Sequence, residues 1–297
     1  MSEPTLNYVS CPDAHGGHRM AYWQWGRADA PHVVLCVHGL SRQGRDFDTL
    51  AQALLARGGD TLRVVCPDVV GRGQSDWLQD PQGYQVPAYA ADMAVLLQTL
   101  KAHTLDWVGT SMGGLIGMAL AGQPQLPFAI RKLVLNDVGP AISWQAIERI
   151  GTYLGDPLRF ASVEEAAEAL RRISLGFGPH TDAQWLALTR PMLKPAPEGD
   201  GRLMLHYDPA IAVPFRAMTP EGSLRSEALL WQLYDAIRAE TLLLRGTESD
   251  LFARETALAM TQRGPRARLV EFAGVGHAPT LVADDQVRTV CDFLLGR

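Results

Sequence analysis

The sequence predicts an α/β protein built around a doubly wound sheet. Short and almost continuously apolar runs are typical of strands that are buried on both faces. Longer segments between them repeat apolar residues at helical spacing. The resulting β-α-β alternation favours a doubly wound sheet. The alternation stops between Pro140 and Arg238, where helical patterns continue without a buried-strand run, so we interpret this segment as a helical insertion.

Six runs are predicted to be buried strands, and they span residues 33–37, 63–66, 105–108, 132–135, 241–244 and 268–272. Two early runs, around Tyr8 and over residues 20–25, could add antiparallel edge strands. Helices of the core are predicted at 47–57, 88–100 and 282–295, and helices of the insertion at 142–153, 163–173, 182–193 and 224–237.

Composition excludes several classes of protein. Hydrophobic residues make up 47% of the 297 residues, which is too much apolar surface for a disordered chain. The net charge of −5 comes without a basic stripe, so we expect no nucleic-acid partner. No apolar run reaches the length of about 20 residues that spans a bilayer, and the first residues lack a signal-peptide pattern. We therefore expect a cytoplasmic protein with no membrane partner.

The four cysteines indicate neither disulfides nor a metal site. Cys11, Cys36, Cys66 and Cys291 form no CxxC pair, and two of them lie inside apolar strand-like runs. Free buried thiols are the favoured interpretation. Histidines and acidic residues do not occur at metal-ligand spacing, so we expect no metal and no cofactor. The short stretch from Gly71 to Gly73 lacks the third glycine of a dinucleotide-binding loop.

The strongest chemical signal is the sequence Gly109-Thr110-Ser111-Met112-Gly113. This G-x-S-x-G pattern follows a predicted strand and precedes an apolar helical run that begins at Leu115. A sharp turn in that setting exposes the serine hydroxyl above the sheet, and the flanking glycines let the backbone pass closely. Ser111 is therefore the candidate nucleophile.

Two further strand ends supply partners for Ser111. The Gly274-Val275-Gly276-His277 loop follows the last predicted strand, and His277 could reach Ser111 as a general base. His38-Gly39-Leu40 follows the first buried strand, where a turn could aim the Leu40 N–H at the same point as the Met112 N–H. Two such donors would form an oxyanion hole.

The imidazole also needs a carboxylate to orient it. Asp250 lies just past the strand at 241–244, Asp137 lies past the strand at 132–135, and Glu248 is the other acid near Asp250. Any of the three could instead be a turn former. The chain order of serine, acid and histidine is satisfied by either aspartate.

Taken together, these motifs resemble the α/β-hydrolase superfamily. The likeness runs through His38-Gly39, the stretch from Asp68 to Ser75, the serine turn, the Gly246 to Asp250 segment and Gly276-His277, in that order. It implies a mostly parallel eight-stranded sheet with a helical cap inserted after the sixth strand. The core would then comprise residues 1–139 and 239–297, and the cap residues 140–238.

The resemblance also implies site roles: Ser111 as nucleophile, His277 as base and Asp250 as acid. Members of the family usually carry the acid three residues after the glycine, whereas Asp250 is four residues after Gly246. Asp137 and Glu248 therefore remain alternatives. Tryptophans of the insertion are candidates for the substrate pocket, namely Trp144, Trp185 and Trp231.

A serine nucleophile argues against epoxide hydrolases and haloalkane dehalogenases, which use a carboxylate. Carbon–carbon bond hydrolases of the family tend to carry Gly-Pro-Gly after His-Gly, where this chain has Leu40 followed by Ser41 and Arg42. We therefore expect a hydrolase of small to medium, largely apolar carboxylic esters. The alternatives are a thioesterase or lactonase, a carbon–carbon bond hydrolase, a cofactor-free perhydrolase or haloperoxidase, and a non-catalytic ligand-binding protein.

Overall fold

The sheet of the computed structural model, which describes residues 3–123 and 125–296, has eight strands in the order β1-β2-β4-β3-β5-β6-β9-β10. The pairs β1–β2 and β2–β4 are antiparallel, and all the others are parallel. This confirms the predicted α/β-hydrolase fold with its mostly parallel eight-stranded sheet. The strands are β1 Thr5–Cys11, β2 His18–Trp25, β3 His32–Val37, β4 Leu62–Pro67, β5 Thr104–Thr110, β6 Ile130–Asn136, β9 Glu240–Gly246 and β10 Arg268–Phe272.

Strand β3 shows why the core strands read as continuous apolar runs. Val33, Leu35 and Val37 belong to one buried cluster, whereas Val34 and Cys36 belong to a second cluster. Successive side chains of a strand point to opposite faces, so the two clusters lie on the two sides of the sheet. Both faces of β3 are buried, and no polar alternation is left in its sequence.

Helices cover both faces. Helices α2 and α3 pack against each other on one side, and α1 packs against α10 on the other. The bounds of the helices outside the insertion are α1 Asp48–Gly58, α2 Val86–Leu100, α3 Met112–Ala121, α9 Arg254–Met260 and α10 Asp284–Leu295. Helix α9 was not predicted from the sequence.

The insertion between β6 and β9 is mainly helical, as predicted, but it also contains an antiparallel pair of short strands, β7 and β8, that was not predicted. Its last helix, α8, packs against α3 and so joins the helical layer of the sheet. The elements are α4 Trp144–Gly151, α5 Val163–Ile173, α6 Asp182–Thr189, β7 Leu193–Pro195, β8 Leu203–Leu205, α7 Ala212–Arg216 and α8 Pro220–Ala236.

All four cysteines are buried and unpaired. Within the described residues, no helix combines the length and the apolar character that a membrane span requires.

Candidate active site

Ser111 lies on the sharp turn that joins β5 to α3. Its backbone has φ 52° and ψ −115°, in a region that L-residues rarely adopt. The turn is held by a hydrogen bond from the Ser111 N–H to the carbonyl of Asn136 (2.9 Å). This geometry projects the side chain from the carboxyl edge of the sheet, where the loops after the parallel strands also meet.

The two glycines of the pattern are required by close backbone contacts. A Cβ placed on Gly113 would lie 1.9 Å from the carbonyl oxygen of Val37. A Cβ on Gly109 would lie 2.3 Å from the carbonyl oxygen of Gly113. Real Cβ atoms do not come this close to backbone, so neither position accepts another residue without moving the turn that carries Ser111.

His277 follows β10 and reaches over Ser111. Its Nε2 lies 3.0 Å from Ser111 Oγ, and its Nδ1 lies 2.7 Å from Asp137 Oδ2. When the Nδ1–H donates a hydrogen bond to the carboxylate, Nε2 carries no proton and can accept that of the serine hydroxyl. The three side chains therefore form one continuous hydrogen-bonded line.

Asp137 lies immediately after β6 and is completely buried. Besides His277, its carboxylate accepts hydrogen bonds from the Gly246 N–H (2.9 Å) and from the Ser249 hydroxyl (2.6 Å). Its backbone is left-handed, with φ 57°, a conformation that aspartate tolerates better than most residues. Three donors stabilise this buried negative charge.

The structure corrects the sequence-based choice of Asp250. That carboxylate is about half exposed and forms an ion pair with Arg149 of α4, with a distance of 2.7 Å between Asp250 Oδ2 and Arg149 Nη2. Glu248 is exposed too, and its backbone N–H bonds to the carbonyl of Val275. Both acids lie in the β9 loop, whereas the carboxylate in contact with His277 is that of the remaining alternative, Asp137.

The predicted oxyanion-hole residues flank the serine. Met112 is the first residue of α3, and Gly39 is so close that a Cβ on it would lie 3.7 Å from Ser111 Cβ. Among the described residues, the amides of Leu40 and Met112 have no hydrogen-bond partner. An amide at the first position of a helix lacks an intrahelical acceptor, so the Met112 N–H is available to an oxyanion.

His38 holds the turn that carries Leu40. Its Nε2 accepts a hydrogen bond from the Val69 N–H (2.9 Å), and its Nδ1 lies 2.7 Å from the Gly39 carbonyl oxygen. Burial lowers the pKa of His38 and the hydrogen bond to the Gly39 carbonyl raises it; together with the positive charges of Arg72 and Arg42, which lower it, the result is a pKa of about 3. His38 is therefore neutral at pH 7, and its two hydrogen bonds fix the turn.

Residues of the insertion cover the catalytic edge. The Gly276 N–H, next to His277, donates to the Gly176 carbonyl (2.6 Å). Phe177 stacks on Trp185 with ring centroids 5.9 Å apart. Arg42 reaches from the core to the same segment, since its guanidinium lies over the Phe177 ring at 5.7 Å and donates to the Leu188 carbonyl at 3.1 Å.

A cavity lies at this junction, lined by Thr110 and Ala278, which are the chain neighbours of Ser111 and His277. Its wall is largely apolar and carries one ion pair, that of Arg42 with Asp46. Other lining residues are Phe177, Leu188, Pro279 and Thr280. Arg42 could not be predicted as a site residue, because an arginine in a loop after a strand carries no distinctive sequence pattern.

The three tryptophans expected in the pocket are placed differently. Trp185 is buried in the stack beside the His277 loop. Trp144 is half-buried at the start of α4. Trp231 contacts Tyr234 and Arg263, and Arg263 precedes β10 at the amino edge of the sheet, opposite to the site. The expectation for Trp231 was therefore wrong: its indole packs α8 against the core.

Comparison with known proteins agrees with this geometry. The family model described as "alpha/beta hydrolase fold" matches residues 32–284. A 3-hydroxybutyrate-oligomer hydrolase of Cupriavidus necator is 51% identical over 296 residues, which is 99% of each chain. A 2-hydroxy-6-oxo-2,4-heptadienoate hydrolase of Pseudomonas putida is 28% identical, with 78% of each chain covered.

A solved structure of an α/β hydrolase from Novosphingobium aromaticivorans superposes with a TM-score of 0.84, at 34% identity and with 99% of each chain covered. The family match spans most of the chain, and the curated relative matches nearly its whole length. The chain therefore belongs to the α/β-hydrolase family and is a hydrolase of that fold.

Proposed function

We propose that this protein hydrolyses carboxylic esters through an acyl-enzyme on Ser111, and that its substrates are short oligomers of 3-hydroxybutyrate. The observation that carries the chemistry is the line from Asp137 Oδ2 through His277 to Ser111 Oγ, with contacts of 2.7 and 3.0 Å. The relative from Cupriavidus necator, at 51% identity, supports the choice of ester.

The reaction begins when His277 Nε2 takes the proton of Ser111 and Oγ forms a bond to the ester carbonyl carbon. The electron pair of the carbonyl π bond moves to its oxygen, which the amides of Leu40 and Met112 receive. Asp137 stabilises the imidazolium. The C–O bond of the ester then breaks, the leaving alkoxide takes the proton from His277, and the acyl group stays on Ser111.

Water completes the cycle by the same route. His277 takes a proton from water, the resulting hydroxide adds to the acyl carbon, and the bond from this carbon to Ser111 Oγ breaks as the proton returns to Oγ. The products are a carboxylic acid and an alcohol. For a 3-hydroxybutyrate oligomer, both products again carry a free carboxylate.

The residues of the cavity next to Thr110 match a small substrate that is partly apolar and ends in a negative charge. Phe177, Leu188 and Pro279 offer contacts for the methyl groups of a hydroxybutyrate unit. Arg42 is held by Asp46 through Nε and Nη2, and its Nη1 has no partner among the described residues. We propose that this Nη1 meets the terminal carboxylate of the oligomer.

The same triad could cleave other acyl compounds. The similarity to a 2-hydroxy-6-oxo-2,4-heptadienoate hydrolase makes carbon–carbon bond hydrolysis the second candidate. Thioesters and lactones need no further machinery. The discriminating experiment is a substrate panel: 3-hydroxybutyrate dimer to tetramer, neutral p-nitrophenyl esters, acyl thioesters, lactones and a vinylogous 1,5-diketone.

The proposal predicts the highest kcat/KM for the hydroxybutyrate oligomers, followed by the neutral esters. Ser111→Ala should abolish activity on every member of the panel. Preference for the diketone over all esters would favour the second candidate. Hydrolysis of neutral esters without hydrolysis of the oligomers would keep the mechanism and remove the substrate assignment.

The role of Arg42 can be separated from the chemistry. Arg42→Gln should raise KM for the acid-ended oligomers by about tenfold, because a charge-assisted hydrogen bond is lost. It should leave kcat/KM for a neutral p-nitrophenyl ester within about twofold. An equal loss on both substrates would assign Arg42 to the structure of the loop rather than to the carboxylate.

A further inference from the structure

A second arginine near the site, Arg72, is fully buried and lacks an acidic partner. It lies between Gly71 and Gly73 in the chain and is inaccessible to solvent. Among the described residues, no carboxylate oxygen lies within ion-pair distance of its guanidinium. Burial of an unpaired charge opposes folding, so its presence needs a reason.

The contacts of Arg72 are with the neighbourhood of the serine. Its Nε donates to the carbonyl of Leu40 (2.8 Å), its Nη1 donates to the carbonyl of Val70 (2.7 Å), and its Nη2 lies 3.6 Å from Met112 Sδ. One guanidinium thus contacts both residues whose amides form the proposed oxyanion hole. Its other neighbours are aromatic rings, those of Tyr89 at 4.9 Å and Tyr84 at 5.8 Å.

No carboxylate of the described residues pairs with this charge. The two buried acids of this region have other partners: Asp208 accepts a hydrogen bond from the Tyr84 hydroxyl at 2.6 Å, and Asp68 accepts from the Gly44 and Gln74 N–H groups at 2.7 and 2.9 Å. Tyr84 therefore stands between Arg72 and Asp208. The aromatic faces attract the cation without cancelling its net charge. The positive field of Arg72 is left to act on the space around Leu40 and Met112.

We propose that Arg72 is a positioning residue of the reaction, which fixes the two oxyanion-hole residues and adds an uncompensated positive charge beside them. The inference rests on the proposed acyl-enzyme mechanism. The carbonyl oxygen gains a full negative charge only as the tetrahedral intermediate forms. A fixed cation in a water-poor site stabilises that state more than the neutral ester, so its effect falls on kcat.

The chain offers a matched control in Arg63. This arginine is also buried, and its guanidinium also donates to backbone carbonyls, those of Ala28 and Leu100. It lies near the start of β4, at the amino edge of the sheet and away from Ser111. Replacing Arg63 therefore measures the effect of losing a buried arginine without touching the oxyanion hole.

The experiment compares Arg72→Gln, Arg72→Lys and Arg63→Gln on a neutral p-nitrophenyl ester. It also measures the affinity for two ligands. Ser111 adds to the carbonyl carbon of a trifluoromethyl ketone, which forms an oxyanion, whereas the matching methyl carbinol has no carbonyl group and forms none. Arg72→Gln should lower kcat by about 10²-fold, with KM changed by less than about threefold. The affinity for the ketone should fall in parallel, and the affinity for the carbinol should not.

Arg72→Lys keeps the charge and should recover at least about tenfold of the lost kcat. Arg63→Gln should lower the melting temperature while kcat and both affinities stay at the wild-type values. If Arg72→Gln does not fold, Arg72→Lys still tests whether Arg72 positions the oxyanion-hole residues, through the ratio of its affinities for the ketone and the carbinol. A lysine cannot donate to the carbonyls of Leu40 and Val70 with the planar, two-pronged geometry of a guanidinium.

Three results would overturn the inference: wild-type kcat in Arg72→Gln, equal losses of ketone and carbinol affinity, or the same kcat loss in Arg63→Gln. A wild-type enzyme without ester hydrolysis, or with activity that survives Ser111→Ala, would instead overturn the proposed function. The two failures are therefore distinguishable.

Discussion

Two loops that open at the same edge of the sheet carry aspartates with opposite surroundings. Strands β6 and β9 are neighbours, and each is followed by a candidate acid. Asp137, after β6, is completely buried and accepts hydrogen bonds from three groups. Asp250, after β9, is about half exposed and pairs with Arg149 on the surface of the protein.

The difference shows that the two loops contribute different groups to the site. The β9 loop supplies donors, the Gly246 N–H and the Ser249 hydroxyl, and the β6 loop supplies the negative charge that they stabilise. A carboxylate can be held beside an imidazole in a buried site only where such donors replace its water. Position after a strand is therefore not sufficient to identify the acid, because the donors decide which carboxylate can be buried.

The largest loss of kcat is expected on replacing Ser111, which the reaction needs whichever aspartate orients His277. Ser111→Ala should lower kcat on any ester by about 10⁴–10⁶-fold and abolish covalent labelling by a fluorophosphonate. The residual kcat of this variant is the baseline with which the kcat values of the Asp137 and Asp250 variants are compared. Labelling that persisted in Ser111→Ala would place the nucleophile elsewhere and remove the basis for comparing the two loops.

Another histidine with carboxylate partners, His18, distinguishes a structural pair from a catalytic one. His18 lies between two carboxylates, with its Nε2 2.9 Å from Asp92 Oδ2 and its Nδ1 3.1 Å from Asp13 Oδ2. Burial opposes its protonated form, but the hydrogen bonds and charge of Asp92, together with Cys11 and Asp13, outweigh it and raise the pKa of His18 to about 10.

Because the pKa of His18 is higher in the folded state, its contribution to stability is complete below the unfolded-state pKa of about 6.5. The contribution is lost as the pH rises through about 10. His18→Gln should lower the unfolding free energy at pH 6 by a few kcal/mol, because each unit of a pKa shift corresponds to about 1.4 kcal/mol and solvent screening reduces the effect. Denaturant unfolding at pH 6 and pH 10 tests this: an unchanged difference between wild type and variant at the two pH values would contradict it. Activity per folded molecule should remain that of the wild type.

A smaller effect is expected from one of the donors around Asp137. Ser249→Ala removes a hydrogen bond to a buried carboxylate, and kcat should fall by about tenfold. Ser226→Ala, which removes an exposed hydroxyl on α8, is the matched control and should leave kcat unchanged. Equal rates for the two variants would mean that the β9 loop does not support the acid.

The smallest effect is expected at the surface ion pair. Arg149→Gln should lower the unfolding free energy by at most about 1 kcal/mol, because solvent screens exposed pairs. Glu248→Gln should change neither stability nor kcat measurably, since its carboxylate is exposed. Thermal unfolding and ester kinetics of both variants provide the check. A loss in kcat of more than about tenfold in either would show that the β9 loop, or its ion pair with α4, acts in the reaction.

The elements that could be predicted from the sequence are those that local patterns determine. The six buried strands are recognisable because both of their faces are covered, and Ser111 because its turn needs glycine at two fixed positions. The acid could not be ranked, because the donors that select Asp137 lie 109 and 112 residues further along the chain. Trp231 was misplaced because helical spacing does not tell which edge of the sheet a helix reaches.

The short hairpin of β7 and β8 escaped prediction for a related reason. Each strand has only three residues, which is too few for an alternation to be visible. Arg72 lay within a stretch that already suggested the family, but its role depends on contacts with Leu40 and Met112, which are distant in sequence. Such contacts become visible only when the loops are placed together.

We propose that Asp137, and not Asp250, orients His277 in the reaction. The most direct test is the ratio of kcat for Asp137→Asn and Asp250→Asn, measured on the same ester under the same conditions. Both substitutions keep the size of the side chain, but only a neutral amide in contact with His277 favours the wrong imidazole tautomer. The structure predicts a loss of about 10⁴-fold for Asp137→Asn and less than about twofold for Asp250→Asn. A large loss for Asp250→Asn with Asp137→Asn near wild type would contradict the account.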